Sequence, residues 1–448
     1  MADASSPDSV SMLLAFRAEN VRSFRDPLEL SLEATAMAEE GVPRSVPWRE
    51  GGRHPARVLP AAGVFGANAS GKTNLLRAMD DMRRLVLTSF RSGQITRHPF
   101  RLDGEAERIP SRFEVDLILN GIRHEYGFVL DDARVIEEWA YRYPRGKAAT
   151  LFRRKGEDIS LGERNRTKGR AILEIVRPNS LFLSAAGAAN HPDLAPLHAW
   201  FESNLMICES SSREARWAFT THMLAQGVDR ERVLELLHAA DMGIVDARLR
   251  KPDPQFVERL DRVLRALRDV EDMPDVEPPD PESFWGMALG HQGRSGTVEF
   301  DVSDESLGTL VWFGLIGPVV HTLASGTVLL ADELEASLHP SLVVQLVRMF
   351  QQQHTNPNGA QIIFNSHEAG LLGNSVDERV LGRDQVWFTE KLNDGRTRLY
   401  SLVDLNPRKD EAISKRYLAG RYGATPIISE AEFAALAAAI ASASRPHE

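Results

Sequence analysis

The chain has 448 residues, a formal net charge of −10, 26% charged residues and 43% hydrophobic residues. That length supplies core for two or three domains of roughly 100–200 residues each, and the acidic balance excludes a global electrostatic pull towards DNA or acidic membranes, so any nucleic-acid contact needs a local patch. The single cysteine, Cys208, excludes an internal disulfide framework and a cysteine-rich zinc site.

The first residues, MADASSPDSVSM, have neither a basic segment nor an apolar run of leader type, and no run approaches the ~18 apolar residues of a membrane span, so a cytoplasmic protein with no membrane partner is expected. Residues 12 to 32 alternate apolar and polar side chains around Asn20-Val21-Arg22-Ser23, which predicts two strands and a turn. The apolar run 57 to 65 predicts a buried strand. The segment that follows puts Leu75, Leu76, Met79, Met82 and Leu85 on one helical stripe.

Between that strand and helix lies Gly66-Ala67-Asn68-Ala69-Ser70-Gly71-Lys72-Thr73-Asn74, a G-x-x-x-x-G-K-[ST] match in the strand–loop–helix setting the motif requires. Glycines let backbone N–H groups face phosphate oxygens, Lys72 supplies a cation, the Thr73 hydroxyl can ligate Mg²⁺, and the helix start adds a positive end. ATP and Mg²⁺ are therefore the expected cofactors.

Residues 112 to 130 alternate on both sides of Asn120-Gly121, a hairpin signal, and RVIEEWAYRYP continues as a further strand. The early half is thus expected to be a parallel nucleotide-binding sheet edged by an antiparallel one. From 141 to 170 basic residues outnumber acidic ones ten to three, including Arg153, Arg154 and Lys155; this is either a partner-binding patch or a solvated hairpin. Residues 195 to 271 are expected to be mainly helical, with Asp229 as an N-cap and a stripe of Phe256, Leu260, Val263, Leu264 and Leu267. The acidic, proline-rich stretch 272 to 283 is a connector. Ser429 and Glu432 form a capping box for a terminal helix.

GTVLLADELEASLHP (326 to 340) predicts a buried strand, Val328 to Ala331, ending in Asp332 and Glu333. Open α/β sheets bind ligands at the carboxyl ends of their strands, which makes Asp332 the Mg²⁺ partner of Thr73 and Glu333 the candidate base for an attacking water. A further strand, Gln361 to Asn365, leads to His367, which can donate to a phosphate or a water.

Taken in order, GANASGKTN, ADELEASLHP and FNSH resemble the ABC-type ATPase head of the RecF, SMC and Rad50 proteins, and more closely the predicted bacterial AAA ATP-binding proteins of the RloA and overcoming-lysogenization type found in anti-phage systems. The resemblance implies an α/β fold: a P-loop ABC-type head with an antiparallel β edge subdomain and a helical insertion. It divides the chain into 12–170, the insertion 171–285, 286–428 and a terminal helix 429–448. It places the signature at SDESLGTLVWFGLI, with Ser306 and Gly308 reaching the γ-phosphate bound to the opposite subunit, although SLGT lacks the second glycine of the transporter signature. It makes Glu335, Ser337 and His339 the interface loop, and His367 the switch histidine. The glutamine loop has no assigned counterpart, Gln94 being a candidate.

The implied mechanism is a homodimer or higher homo-oligomer whose heads close over ATP. Only about 40 residues follow the last expected ATPase strand, short of the ~100-residue mode for a domain, so a nuclease or Toprim-type effector is expected on a separate chain, with DNA or a phage component as a further partner. The rival readings are a RecF-like DNA-repair ATPase and an ABC transporter motor subunit.

Overall fold

The computed structural model describes residues 11–443 except 164–165, 241, 251–254, 256–257, 260–261, 264–285, 376 and 427–428. Most of the stripe expected at 256–267 and the connector 272–283 lie outside the described residues. Two sheets dominate. One has six strands in the order Leu205–Cys208, Val328–Ala331, Gln361–Ser366, Ala61–Gly66, Val386–Lys391 and Thr397–Ser401. The first five run parallel, and the last pairs antiparallel.

This sheet is buried on both faces, as parallel sheets must be, and its side chains divide with period two. Ala62, Val64, Val328, Leu330 and Ile363 face a core shared with the helix Lys72–Ser92 and the second sheet. Ala61, Phe65, Leu329, Ala331 and Ile362 face a core built with the helices Arg213–Ala225, Leu307–Ser325 and Pro340–Gln351.

The second sheet has seven antiparallel strands in the order Asp158–Leu161, Ala149–Lys155, Val135–Arg142, Ile122–Leu130, Ser111–Leu119, Met12–Glu19 and Leu28–Ser31. The expected turn at 120–121 joins two of them, with Asn120 and Gly121 both at positive φ (51° and 70°), as a tight hairpin turn matching strand twist requires. It is a separate layer rather than an edge of the parallel sheet. Buried Gln361 joins the layers: its side chain accepts from Leu13 N at 2.7 Å and donates to Leu13 O at 2.9 Å and Leu59 O at 3.1 Å.

The stretch expected to be a helical insertion carries helices, but also two strands. Leu205–Cys208 is an outer strand of the parallel sheet, and Ile244–Arg250 pairs with Gly286–Gly293 in a small antiparallel sheet completed by Gly296–Asp301. Four-residue strands such as LMIC carry too few alternations to separate strand from helix. Asp229 does stand at the start of the helix Arg230–Ala239, yet at φ 49° it makes no capping bond and its carboxylate accepts from Arg232 at 2.6 Å. Ser429 accepts from Glu432 N at 3.3 Å at the start of the terminal helix Glu430–Ala443.

The helix Leu307–Ser325, 19 residues with mean hydropathy 1.6, is long and apolar enough to cross a membrane, contrary to the sequence expectation; here two-thirds of it is buried against the parallel sheet and its neighbouring helices.

Arg154 departs from its sequence reading. It is 4% exposed and donates to the carbonyls of Gly156, Ser180, Arg177 and Pro178. Nearby Glu138, also buried, accepts from the first N–H groups of the helix Phe182–Ala188 and from Tyr126. Arg154 is therefore structural, whereas Arg153 and Lys155 are exposed on either side of it.

Candidate functional site: a phosphate loop at the carboxyl ends of the parallel strands

The phosphate loop leaves the fully buried strand Ala61–Gly66 and enters the helix Lys72–Ser92. Gly71 takes φ 108°, and a Cβ there would overlap the Thr397 hydroxyl and crowd that of Ser23, so only glycine fits. The loop is braced from outside the motif. Ser70 Oγ bonds Thr389 Oγ1 at 2.7 Å, Thr397 Oγ1 donates to Ser70 O at 2.8 Å and bonds Ser23, and Asn74 donates to Ser23 at 2.9 Å.

Among the described residues the N–H groups of Asn68, Ala69, Gly71, Lys72 and Thr73 find no protein acceptor, while that of Ser70 turns inward to Ala67 O. Asn68 and Ala69 are exposed, with Ala69 at φ 61°. This row of outward donors at a helix start fits a polyphosphate. Lys72, 6% exposed, folds onto Gly66 O (2.9 Å) and Ala67 O (3.1 Å). Burial pushes its ammonium down from 10.5 to about 8, against the pull of Glu335, Glu333 and Asp332.

Thr73 Oγ1 donates to Asp332 Oδ1 at 2.8 Å. Asn365 Nδ2 reaches the same oxygen at 2.5 Å, Ser210 Oγ donates to Oδ2 at 3.0 Å, and Asn365 Oδ1 accepts from Glu333 N at 2.5 Å. A hydroxyl and a carboxylate fixed side by side suit Mg²⁺, which takes one or two protein oxygens and fills its octahedron with phosphate and water. Thr73 and Asp332 would hold the ion, and Asn365 and Ser210 would orient the carboxylate. Sequence reading missed Asn365 and Ser210; the FNSH string contained the first, but nothing local marks its reach to Asp332.

Glu333 is exposed at φ 51°, directly after Asp332. Glu335 Oε1 accepts from His367 N at 2.5 Å, so the loop after Glu333 and the histidine touch. Desolvation and nearby Lys72 hold the His367 imidazole below its ordinary range, although the residue as a whole is exposed. Ser337 is exposed at φ 62°, and His339 caps the helix Pro340–Gln351 by accepting from Ser341 N at 3.2 Å.

Ser306 and Gly308, expected to form the signature, stand apart. Ser306 caps the helix Leu307–Ser325 through Thr309 N at 3.2 Å, and Gly308 lies against the Ser337 backbone. Among the described residues no hydrogen bond links Ser306 or Gly308 to residues 66–74. Gln94 follows the 21-residue phosphate-loop helix, about 30 Å from its start at 1.5 Å per residue, and is exposed. It cannot reach the phosphates; Asp332 is met instead by Asn365 from one neighbouring parallel strand and by Ser210 just past the end of the other.

Together the sheet and its loop define a phosphate-loop ATPase fold of the AAA/ABC type. The chain belongs to the AAA-domain family described as "AAA domain, putative AbiEii toxin, Type IV TA system", which matches residues 61–373, more than half its length. No curated protein matches it. Solved structures similar to it include an SMC head bound to the C-terminal winged-helix domain of ScpA (12% identity, TM-score 0.40, covering 87% of this chain and 97% of that one). Others are the SMC head domain of Thermotoga maritima (12%, 0.35, 87% and 98%) and the SMC head with an extended coiled coil bound to the C-terminal domain of ScpA derived from Pyrococcus furiosus (11%, 0.36, 88% and 98%).

Proposed function

We propose that this chain hydrolyses ATP as a nucleotide-gated dimeric switch, and that it is the cytoplasmic ATPase component of an anti-phage defence system acting with a separate effector. The observation that carries the reading is the convergence of Lys72, Thr73, Asp332, Asn365 and His367 at the carboxyl ends of three adjacent parallel strands, while among the described residues Ser306 makes no hydrogen bond to the loop. The defence role is supported by the family description, in which toxin and antitoxin appear together.

In this reading the loop N–H groups and Lys72 hold the β and γ phosphates, and Thr73 and Asp332 would hold Mg²⁺, which would supply positive charge beside them. Glu333, held in the left-handed region by its bond to Asn365, polarises the attacking water, and His367 donates to the γ-phosphate. Ser306 and Gly308 act on nucleotide bound to a second copy, with Glu335, Ser337 and His339 along the same interface. Closure then requires ATP, because each half-site is incomplete alone.

Glu333→Gln removes the carboxylate and keeps its shape, so turnover falls by on the order of 10²-fold or more while ATP still closes the heads. Ser306→Arg leaves nucleotide binding intact and blocks closure. Distances between spin labels on opposing heads, with and without Mg-ATP, test both. A Glu333→Gln protein whose heads stay apart, or a Ser306→Arg protein that closes like the parent, would sink the trans-acting site.

A further inference from the structure

The outer edge of the strand Leu205–Cys208 pairs with no other strand among the described residues, and a groove of about 640 Å³ runs along it. Arg83 and Arg84 line one wall, Arg216 and His321 the other. Most charges here are matched. Asp80 is paired with Arg84, Glu209 with Arg77 at 3.2 Å, and Arg83 donates to Phe201 O at 2.9 Å.

Arg216 is different. It is 8% exposed, and among the described residues its guanidinium makes no hydrogen bond and no ion pair within 4.0 Å. Its neighbour Cys208 is no counter-charge, because burial pushes that thiol up to about 12. Asp332 acts on Arg216 from farther away and is already engaged by Thr73, Ser210 and Asn365. Its Nε is fully enclosed with no partner, and the terminal nitrogens are left to the groove that the residue lines, an arrangement that a bound anion would complete.

The surroundings add to the positive field. Helical side chains lean towards their own N-terminus, so Arg216 lies over the start of the 13-residue helix Arg213–Ala225. That start is uncapped: the Ser212 hydroxyl makes no capping bond, and the N–H groups of Arg213, Glu214 and Ala215 have no acceptor among the described residues. Ser212 and Ala215 line the same groove.

We infer that this groove is a second anion site, taking the phosphate group of a small ligand up to nucleotide size between Arg216 and the helix start. A phosphate has enough oxygens to accept from the planar guanidinium and the helix N–H groups at once, and a groove of this volume is in the range of small-ligand sites. Its place matters because Ser210, two residues before Ser212, bonds Asp332.

The inference stands apart from the ATPase reading and can be tested with the phosphate loop disabled. The full chain carrying Lys72→Met is titrated calorimetrically with inorganic phosphate, pyrophosphate and acetate at constant ionic strength. Saturable one-to-one binding of phosphate and pyrophosphate, tighter than acetate, is expected; adding Arg216→Met should weaken it at least tenfold. Amide exchange on the Lys72→Met protein gives a readout independent of whether Arg216→Met folds, with phosphate slowing exchange at residues 213–215. Absence of saturable phosphate binding, acetate binding as tight as phosphate, equal affinity after Arg216→Met, or unaltered exchange at 213–215 would each overturn the site.

Discussion

Replacing Lys72 with methionine separates the cost of burying a charge from its use. In the nucleotide-free fold burial lowers the ammonium from 10.5 to about 8; at 1.36 kcal/mol per pH unit the charged form is disfavoured by about 3 kcal/mol at neutral pH. Methionine fills the same space without charge and forfeits the charge-assisted bonds to Gly66 O and Ala67 O, worth about 1.5 kcal/mol each. The two terms nearly cancel, so Lys72→Met should match the parent's stability within about 1 kcal/mol, a shift of no more than a few degrees in Tm. It should lose nucleotide by more than about 10²-fold, since two charge-assisted bonds to phosphate contribute about 3 kcal/mol or more.

The pH dependence has a fixed sign. Between about 8 and 10.5 the unfolded chain binds the Lys72 proton and the folded one does not, so this residue's contribution to stability rises with pH across that window and is absent from the variant. ATP affinity runs the other way, falling above pH about 8 as the free protein loses the cation that phosphate requires. Thermal unfolding and titration of a fluorescent ATP analogue from pH 7 to 9.5 measure both. A Lys72→Met protein that binds the analogue within threefold of the parent, or unfolds more than ten degrees earlier, would refute the reasoning.

Arg154→Ala should destabilise the fold by about 3–5 kcal/mol because it strips the buried Ser180 carbonyl and three part-buried ones and leaves Glu138 without its nearby cation, whereas Arg153→Glu with Lys155→Glu should leave Tm within about two degrees; equal thermal shifts would contradict the burial. Asn365→Ala frees the Asp332 carboxylate and the Glu333 N–H. It should raise the Mg²⁺ concentration for half-maximal ATPase activity about 10–100-fold, and an unchanged Mg²⁺ titration would remove Asn365 from the site.

Short-range physics wrote part of this protein directly into its sequence. Gly71 before Lys72-Thr73 marked the phosphate loop because that φ and that close approach admit no side chain, Asn120-Gly121 marked its hairpin because both residues must turn left-handed, and Val328–Ala331 and Gln361–Asn365 read as buried strands from the apolar runs Val328–Ala331 and Ile362–Phe364. Other features depend on contacts that only folding assembles, some between residues 348 positions apart. Leu205–Cys208 became a sheet strand by pairing with Val328–Ala331, Gln361 found Leu13 across two layers, and the basic run lost Arg154 to a ring of carbonyls that only folding assembles. The pairing of Thr73 with Asp332 was anticipated from strand-end chemistry, but the hands that steady it, Asn365 and Ser210, were decided by the order of parallel strands, which brings four strand ends side by side and leaves no mark on any one of them.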